Sequence, residues 1–257
     1  MKHLLIYLTA IYLGFTFSKK PTKPEAPQAP ITTKPDIEAL AANSACAKVV
    51  WKDRGVAPKA YTKGMARVFF ENACNKGSLV DAALSAPLGS STKDALKYYG
   101  LAPNRVAVFT LLTGLGMRES SGRYCEGRDG SAGNVTASTA EAGMFQTSYN
   151  SVGASSVLKA LFQKYTEGQG ACYLDTFKEG VSCSSKDAIN YGAGNGHLFQ
   201  ELSKTCPAFA VYYGAVMLRV LREHYGPLNR KEAQYKKECE KMYSEIEALA
   251  TPANCKI

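Results

Sequence analysis

Residues 105–118 read RVAVFTLLTGLGMR, and residues 119–122 continue as Glu-Ser-Ser-Gly. Apolar side chains fall on nearly every face of a 3.6-residue helix here, so the segment has no side to give to water. It predicts a helix running through the centre of a domain. The abrupt change at Glu119 sets a carboxylate at the boundary between that core and a polar turn. A carboxyl so placed is partly desolvated and faces the negative end of a helix dipole, and both effects disfavour its charged form. A protonated carboxyl near neutral pH is what general-acid cleavage of a glycosidic bond requires. A glutamate that only caps or salt-bridges the helix end fits the same residues, so this stretch alone leaves both readings open.

The flanking sequence is helical in pattern, with amphipathic stretches separated by Gly, Ser and Pro clusters and little sign of strands. Helices are predicted over Met65–Ala73, over Lys93–Tyr99 with a stop at Gly100, and over Ser155–Tyr165 behind a serine cap. Pro207–His224 predicts a core helix with Pro207 at an early position and Gly226-Pro227 ending it. Lys231–Leu249 predicts a charged surface helix whose apolar positions, Tyr235, Met242, Ile246 and Leu249, are sparse and which Cys239 would pin. The fold class expected is mainly α, with a small irregular or β-containing loop region around the site.

The chain has 257 residues, a length suited to one core. Residues 1–18 have a Lys2-His3 start and an apolar run from Leu4 to Phe17, which reads as a secretory signal peptide. An uncleaved anchor is the alternative, because Phe15-Thr16-Phe17-Ser18 is a poor small-x-small cleavage pattern. Residues 19–36 are rich in Pro and Lys and lack the apolar side chains a core needs, so they form a linker, and residues 37–257 are the expected domain. Eight cysteines in an exported chain predict four disulfides. They allow about 105 pairings; the short-loop choices are Cys172 with Cys183, Cys46 with Cys74 and Cys239 with Cys255. No CxxC is present and His3, His197 and His224 are scattered, so neither a metal nor another cofactor is expected. A monomer in a secreted or periplasmic setting, with no stable membrane insertion after signal cleavage, completes the expectation.

Glu119-Ser120-Ser121-Gly122, followed some twenty residues on by Ala142-Gly143-Met144-Phe145-Gln146-Thr147, resembles the paired ESxG and GLMQ motifs of the lytic transglycosylases and goose-type lysozymes. Asn190-Tyr191-Gly192-Ala193-Gly194 looks like a rearranged form of that family's YNAG segment, and Tyr213 lies where those enzymes often place a tyrosine. The resemblance covers about Leu111 to Tyr149 and leaves the N-terminal helices, the cysteines and the last helix unexplained. It implies a lysozyme-like fold in which Glu119 protonates the leaving oxygen. Gln146 and the backbone of Gly143, Met144 and Phe145 would line the cleft. It also implies that Ser120 and Ser121 hydrogen-bond either substrate or the helix end, and that Tyr149, Asn190, Tyr191 and Tyr213 contact sugar. Peptidoglycan glycan strands are the implied partner.

Whether water or the sugar itself attacks depends on a second carboxylate, which in an inverting hydrolase stands about 6.5 to 9.5 Å from the acid. Asp129 and Glu141 are the candidates in the loop CEGRDGSAGNVTASTAEAG, with Asp187 a distant third. That acidic loop is longer than its transglycosylase counterpart and favours hydrolysis. Asp129 or Glu141 near a sugar 2-position would also make cleavage depend on glycan acetylation. A catalytically silent glycan-binding or inhibitor protein is the competing reading, against which an intact Glu119 counts. The formal charge of +9 would draw the chain to polyanions. The basic residues are dispersed and lack the aromatic interleaving of nucleic-acid binders, so no nucleic-acid partner is expected.

Overall fold

The computed structural model describes residues 36–256 apart from 88, 132, 134, 135 and 221–230. The expected signal peptide, almost all of the expected linker and the expected end of the helix begun at Pro207 lie outside the described residues. Ten α-helices are present among the described residues, in the order α1 (Ile37–Asn43), α2 (Lys59–Cys74), α3 (Leu79–Ser85), α4 (Ser90–Tyr99), α5 (Arg105–Ser120), α6 (Ser156–Thr166), α7 (Leu174–Lys178), α8 (Asn195–Thr205), α9 (Pro207–Val220) and α10 (Lys237–Leu249). Short 3-10 turns cover Cys46–Lys48 and Tyr149–Ala154. The one sheet described is a two-stranded hairpin, β1 (Val50–Trp51) against β2 (Gly55–Val56), with Val50 opposite Val56. The fold is thus mainly α.

Central helix α5 starts where Asn104 accepts a hydrogen bond from the Ala107 amide at 2.8 Å, and every residue from Val106 to Met117 is buried. Its neighbours are α10 and α9, the latter itself buried from Pro207 to Arg219, and α2 meets it through Phe69 on Phe109 and the Tyr61 hydroxyl on Thr113 O. Helix α9 is therefore covered on all sides rather than along one stripe. Helix α4 ends at Gly100 in a left-handed turn, and α6 begins with Ser155 capping the Val157 amide, both as expected. Helix α2 begins six residues earlier than the expected Met65, directly after Pro58.

The last helix departs from expectation. It starts at Lys237 rather than Lys231, leaves Tyr235 outside it, and buries Cys239, Met242, Tyr243 and Ile246. Tyr243 is fully buried, shares a 2.8 Å hydrogen bond with the Thr113 hydroxyl, and packs on Phe69 and Phe109. The sparse apolar positions suffice because a tyrosine supplies the missing hydrophobic area while its hydroxyl finds a partner.

All three short-loop cysteine pairings are overturned. The disulfides are Cys46–Cys239, Cys74–Cys255, Cys125–Cys183 and Cys172–Cys206. The C-terminal helix returns beside the first turns of the domain and α2, so cysteines separated by 193 and 181 positions meet. Long-range helix packing, not loop length, sets the partners.

Candidate active site

Glu119 occupies the last turn of α5 and is half-buried. The helix ends here because Ser121 and Gly122 both take positive φ angles, 56° and 75°, and turn their amides back onto Met117 O and Gly116 O at 3.0 and 3.2 Å. Ser120 is buried and its hydroxyl donates to Gly116 O at 2.9 Å. Ser120 therefore serves the helix end through its hydroxyl, and Ser121 through its backbone amide. The Arg54 guanidinium, reaching over from the β1–β2 hairpin, donates to Arg118 O at 2.6 Å and adds a cation where the helix dipole is negative.

The second motif is folded tightly behind the first. The Ala142 amide donates to Thr147 O at 3.0 Å, closing a small antiparallel bridge around Gly143–Gln146. Gly143 has a φ of +74° and lies so close to α8 that a β-carbon would overlap the Ser203 carbonyl. Only glycine fits there. The Gly143 amide donates to Glu126 O at 2.8 Å, and Gln146 Nε2 donates to both Gly127 O and Gly143 O at 3.1 Å. Met144 and Phe145 are core side chains, at 0 % and 4 % exposure, so only their backbone remains for the cleft. Phe145 packs against Gly116, one turn before Glu119, and against Gly214 of α9.

The three candidate partner carboxylates separate clearly. Asp129 stands exposed at a loop tip, where the Ser131 hydroxyl and amide donate to it at 2.7 and 2.8 Å and hold its pKa below the usual aspartate value. Glu141 is half-buried and immediately precedes the Ala142–Thr147 bridge. Asp187 is buried, and burial alone would raise its pKa. Bonds from Ser184 N at 2.8 Å, the Ser184 hydroxyl and Gly127 N, together with Arg123, outweigh burial and lower it. Asp187 is thus a clasp between loops, reinforced by Cys125–Cys183.

Two residues that sequence reasoning passed over organise this region. Glu126 pairs with Arg123, and burial raises its pKa in spite of that cation. Gln200, 1 % exposed on α8, accepts from Tyr191 N at 2.8 Å and donates to Ala137 O, Tyr191 O and Gly196 O. The apolar spacing of Leu198, Phe199 and Leu202 could have revealed α8, but neither role has a local signature.

Of the aromatic and amide candidates, Tyr213 is corrected to core. It is fully buried, its hydroxyl shares a hydrogen bond with Ser151 at 2.8 Å, and its ring packs on Phe199 and Phe209. Tyr149 is half-exposed and accepts from Asn195 Nδ2 at 3.2 Å. Tyr191 is half-exposed with the Arg128 guanidinium 4.8 Å over its ring. Asn190 forms part of a cavity of about 260 Å³ beside Tyr124, Lys204 and the Cys125–Cys183 bridge. Among the described residues, no cluster of His, Cys, Asp and Glu is arranged for a metal, and no helix is long and apolar enough to cross a membrane.

Comparison with known proteins finds no matching family model, no matching curated protein and no matching solved structure. The class the fold defines is a mainly α, disulfide-stapled protein with no free cysteine among the described residues, which fits an oxidising compartment outside the cytosol.

Proposed function

We propose that the protein is an exported glycosidase of the lysozyme type that cuts peptidoglycan glycan strands with Glu119 as general acid. The observation that carries this reading is the packing of the second motif against the helix that presents Glu119: Phe145 on Gly116, with Gly143 tied to Glu126 O. Two segments about twenty residues apart are fixed against each other as one rigid unit, and rigid support is what a general acid needs to hold its geometry.

In this mechanism Glu119 donates its proton to the glycosidic oxygen as the C–O bond breaks, and positive charge builds on the sugar ring. Glu141 positions the water that attacks the opposite face and takes up its proton. It is favoured over Asp129 because it is half-buried and adjoins the pinned Ala142–Thr147 bridge, whereas Asp129 sits at an exposed loop tip. Tyr149 and Tyr191, the half-exposed rings, flank the sugars. Replacing Glu141 by Gln should reduce hydrolysis by about 100-fold or more, while Asp129→Asn should leave it within a few-fold. Equal losses in the two variants would return the second carboxylate to the pair, and anhydro-ended products from wild type would remove the need for either.

A further inference from the structure

Charged residues Lys52, Asp53 and Arg54 make the turn between β1 and β2, and the turn is anchored on both sides. Trp51, 2 % exposed, roots the hairpin in the core, and the Lys52 amide donates to Gln234 Oε1 at 3.1 Å. Asp53 and Gly55, the residues on either side of Arg54, take positive φ angles of 61° and 74°, and the Arg54 amide closes the turn on Trp51 O at 3.1 Å. Left-handed backbone of this kind suits Asp and Gly and makes a tight turn. From its tip the Arg54 side chain crosses to the end of α5, where Nη2 donates to Arg118 O at 2.6 Å.

That bond uses one guanidinium N–H and leaves the others. Arg118 and Arg123, which flank Glu119 in the chain, are both neutralised: Arg118 by Asp53 and Glu232 at 3.9 and 3.5 Å, Arg123 by Glu126 and by Asp187 at 3.4 Å. Arg54 is exposed and makes no ion pair among the described residues. Its charge also acts beyond the helix end. Burial raises the Glu126 pKa, and Arg54 stands after Arg123 among the cations that oppose the rise. Glu126 O is the acceptor that holds the Gly143 amide, so Arg54 lies within reach of both the Glu119 turn and the segment that seats the second motif.

We propose that Arg54 is a specificity-determining residue that receives a free carboxylate of the glycan strand beside the bond being cut. The proposal rests on the glycosidase reading of Glu119. In peptidoglycan, alternate sugars carry a lactyl ether whose carboxyl is either free or amide-bonded to a stem peptide, and the peptide brings carboxylates of its own. Chitin carries none. A guanidinium matches a carboxylate in geometry as well as in charge. The bond to Arg118 O already orders the side chain, which lowers the entropy lost when substrate arrives. An accessible cation with no carboxylate of its own, fixed one residue from the general acid, is thus suited to select strands by charge.

The test compares kcat/KM on soluble peptidoglycan strands, either stripped of stem peptides or bearing them, each before and after its carboxyls are converted to neutral amides. Wild type should cut a free-carboxyl strand about fivefold faster than its amidated counterpart, the size expected of an exposed ion pair. A preference on stripped strands assigns the lactyl carboxylate, and one confined to peptide-bearing strands assigns the stem peptide. Arg54→Gln, which keeps a donor for Arg118 O, should lose the preference, Arg54→Lys should keep part of it, and added salt should shrink it in wild type. Thermal unfolding verifies the fold of both variants, and Arg54→Lys with the salt series decides if Arg54→Gln is unstable. Equal cutting of free and amidated strands by wild type, a preference that survives in Arg54→Gln, or a uniform slowing of every strand in that variant would overturn the proposal while leaving the role of Glu119 intact. Failure of wild type to cut any strand would remove the glycosidase reading instead. Calorimetric titration of Glu119→Gln with the same strands then decides the role of Arg54 on its own, with equal binding of free and amidated strands as the result against it.

Discussion

Phe145 packs over Gly116 so closely that a β-carbon at Gly116 would stand 2.9 Å from Phe145 Cε1 and would collide with the Tyr61 hydroxyl. The Tyr61 hydroxyl is itself buried and donates to Thr113 O at 2.9 Å, so it has little room to retreat. Gly116→Ala gains helix propensity of about 1 kcal/mol. Overpacking of about 1 to 3 kcal/mol opposes it, and the net effect should be a lower unfolding midpoint in urea. Activity should fall with it, since the same contact seats the second motif behind Glu119.

Tyr213 and Tyr191 were both sugar-contact candidates, but the structure gives them different tasks. Tyr213→Phe removes only the bond to Ser151 and should cost about 1 kcal/mol of stability with KM unchanged. Tyr191→Ala removes a half-exposed ring beneath Arg128; it should raise KM several-fold with little change in the unfolding midpoint. Steady-state kinetics with soluble glycan fragments separates the two.

Asp187 and Glu126 flank the same Arg123 but titrate in opposite directions. The lowered folded pKa of Asp187 gives a stabilisation that is complete above the usual aspartate value of 3.8 and fades as pH falls through the folded pKa. Glu126, raised above the usual 4.5, contributes below that value and loses its contribution as pH rises through its folded pKa. Asp187→Asn should therefore lower stability at pH 7, by about 2 kcal/mol for charged hydrogen bonds lost, and flatten the acid limb of the stability profile. Glu126→Gln should leave stability at pH 7 nearly unchanged. Urea denaturation from pH 3 to 7 measures both.

The disulfides should divide by role. Cys46–Cys239 closes a separation of 193 residues and Cys125–Cys183 one of 58. Closure entropy for the longer loop is larger by about 1 kcal/mol. Paired Cys→Ala replacement at 46 and 239 should give the greater fall in unfolding midpoint. Replacement at 125 and 183 should chiefly reduce activity, because that bridge joins the loop after Glu119 to the segment holding Asp187.

What the sequence made legible was local. The unbroken apolarity of Val106–Met117, the Ser155 cap and the Gly100 stop each act within a few residues, and each corresponds to the structure. The pairing of Cys46 with Cys239 and the burial of Tyr243 depend on where α10 returns in space, which spacing does not encode. In the candidate site the close approaches at Gly116 and Gly143 emerge only in the folded chain, because a glycine in a motif does not say what packs against it. Gln200 binds three separate backbone segments and Glu126 O holds Gly143, contacts that arise only once the chain is folded. Met144 and Phe145 were readable as a motif but not as core, because a motif does not say which way its side chains turn.

The most direct test of the central claim is digestion of purified peptidoglycan sacculi, native and chemically deacetylated, by wild-type and Glu119→Gln proteins, with mass spectrometry of the released fragments. The account predicts reducing-end muropeptides from wild type, differing in yield between the two walls, and a loss of about 100-fold or more with Glu119→Gln. Undiminished release by Glu119→Gln, or no release by wild type from either wall, would contradict it.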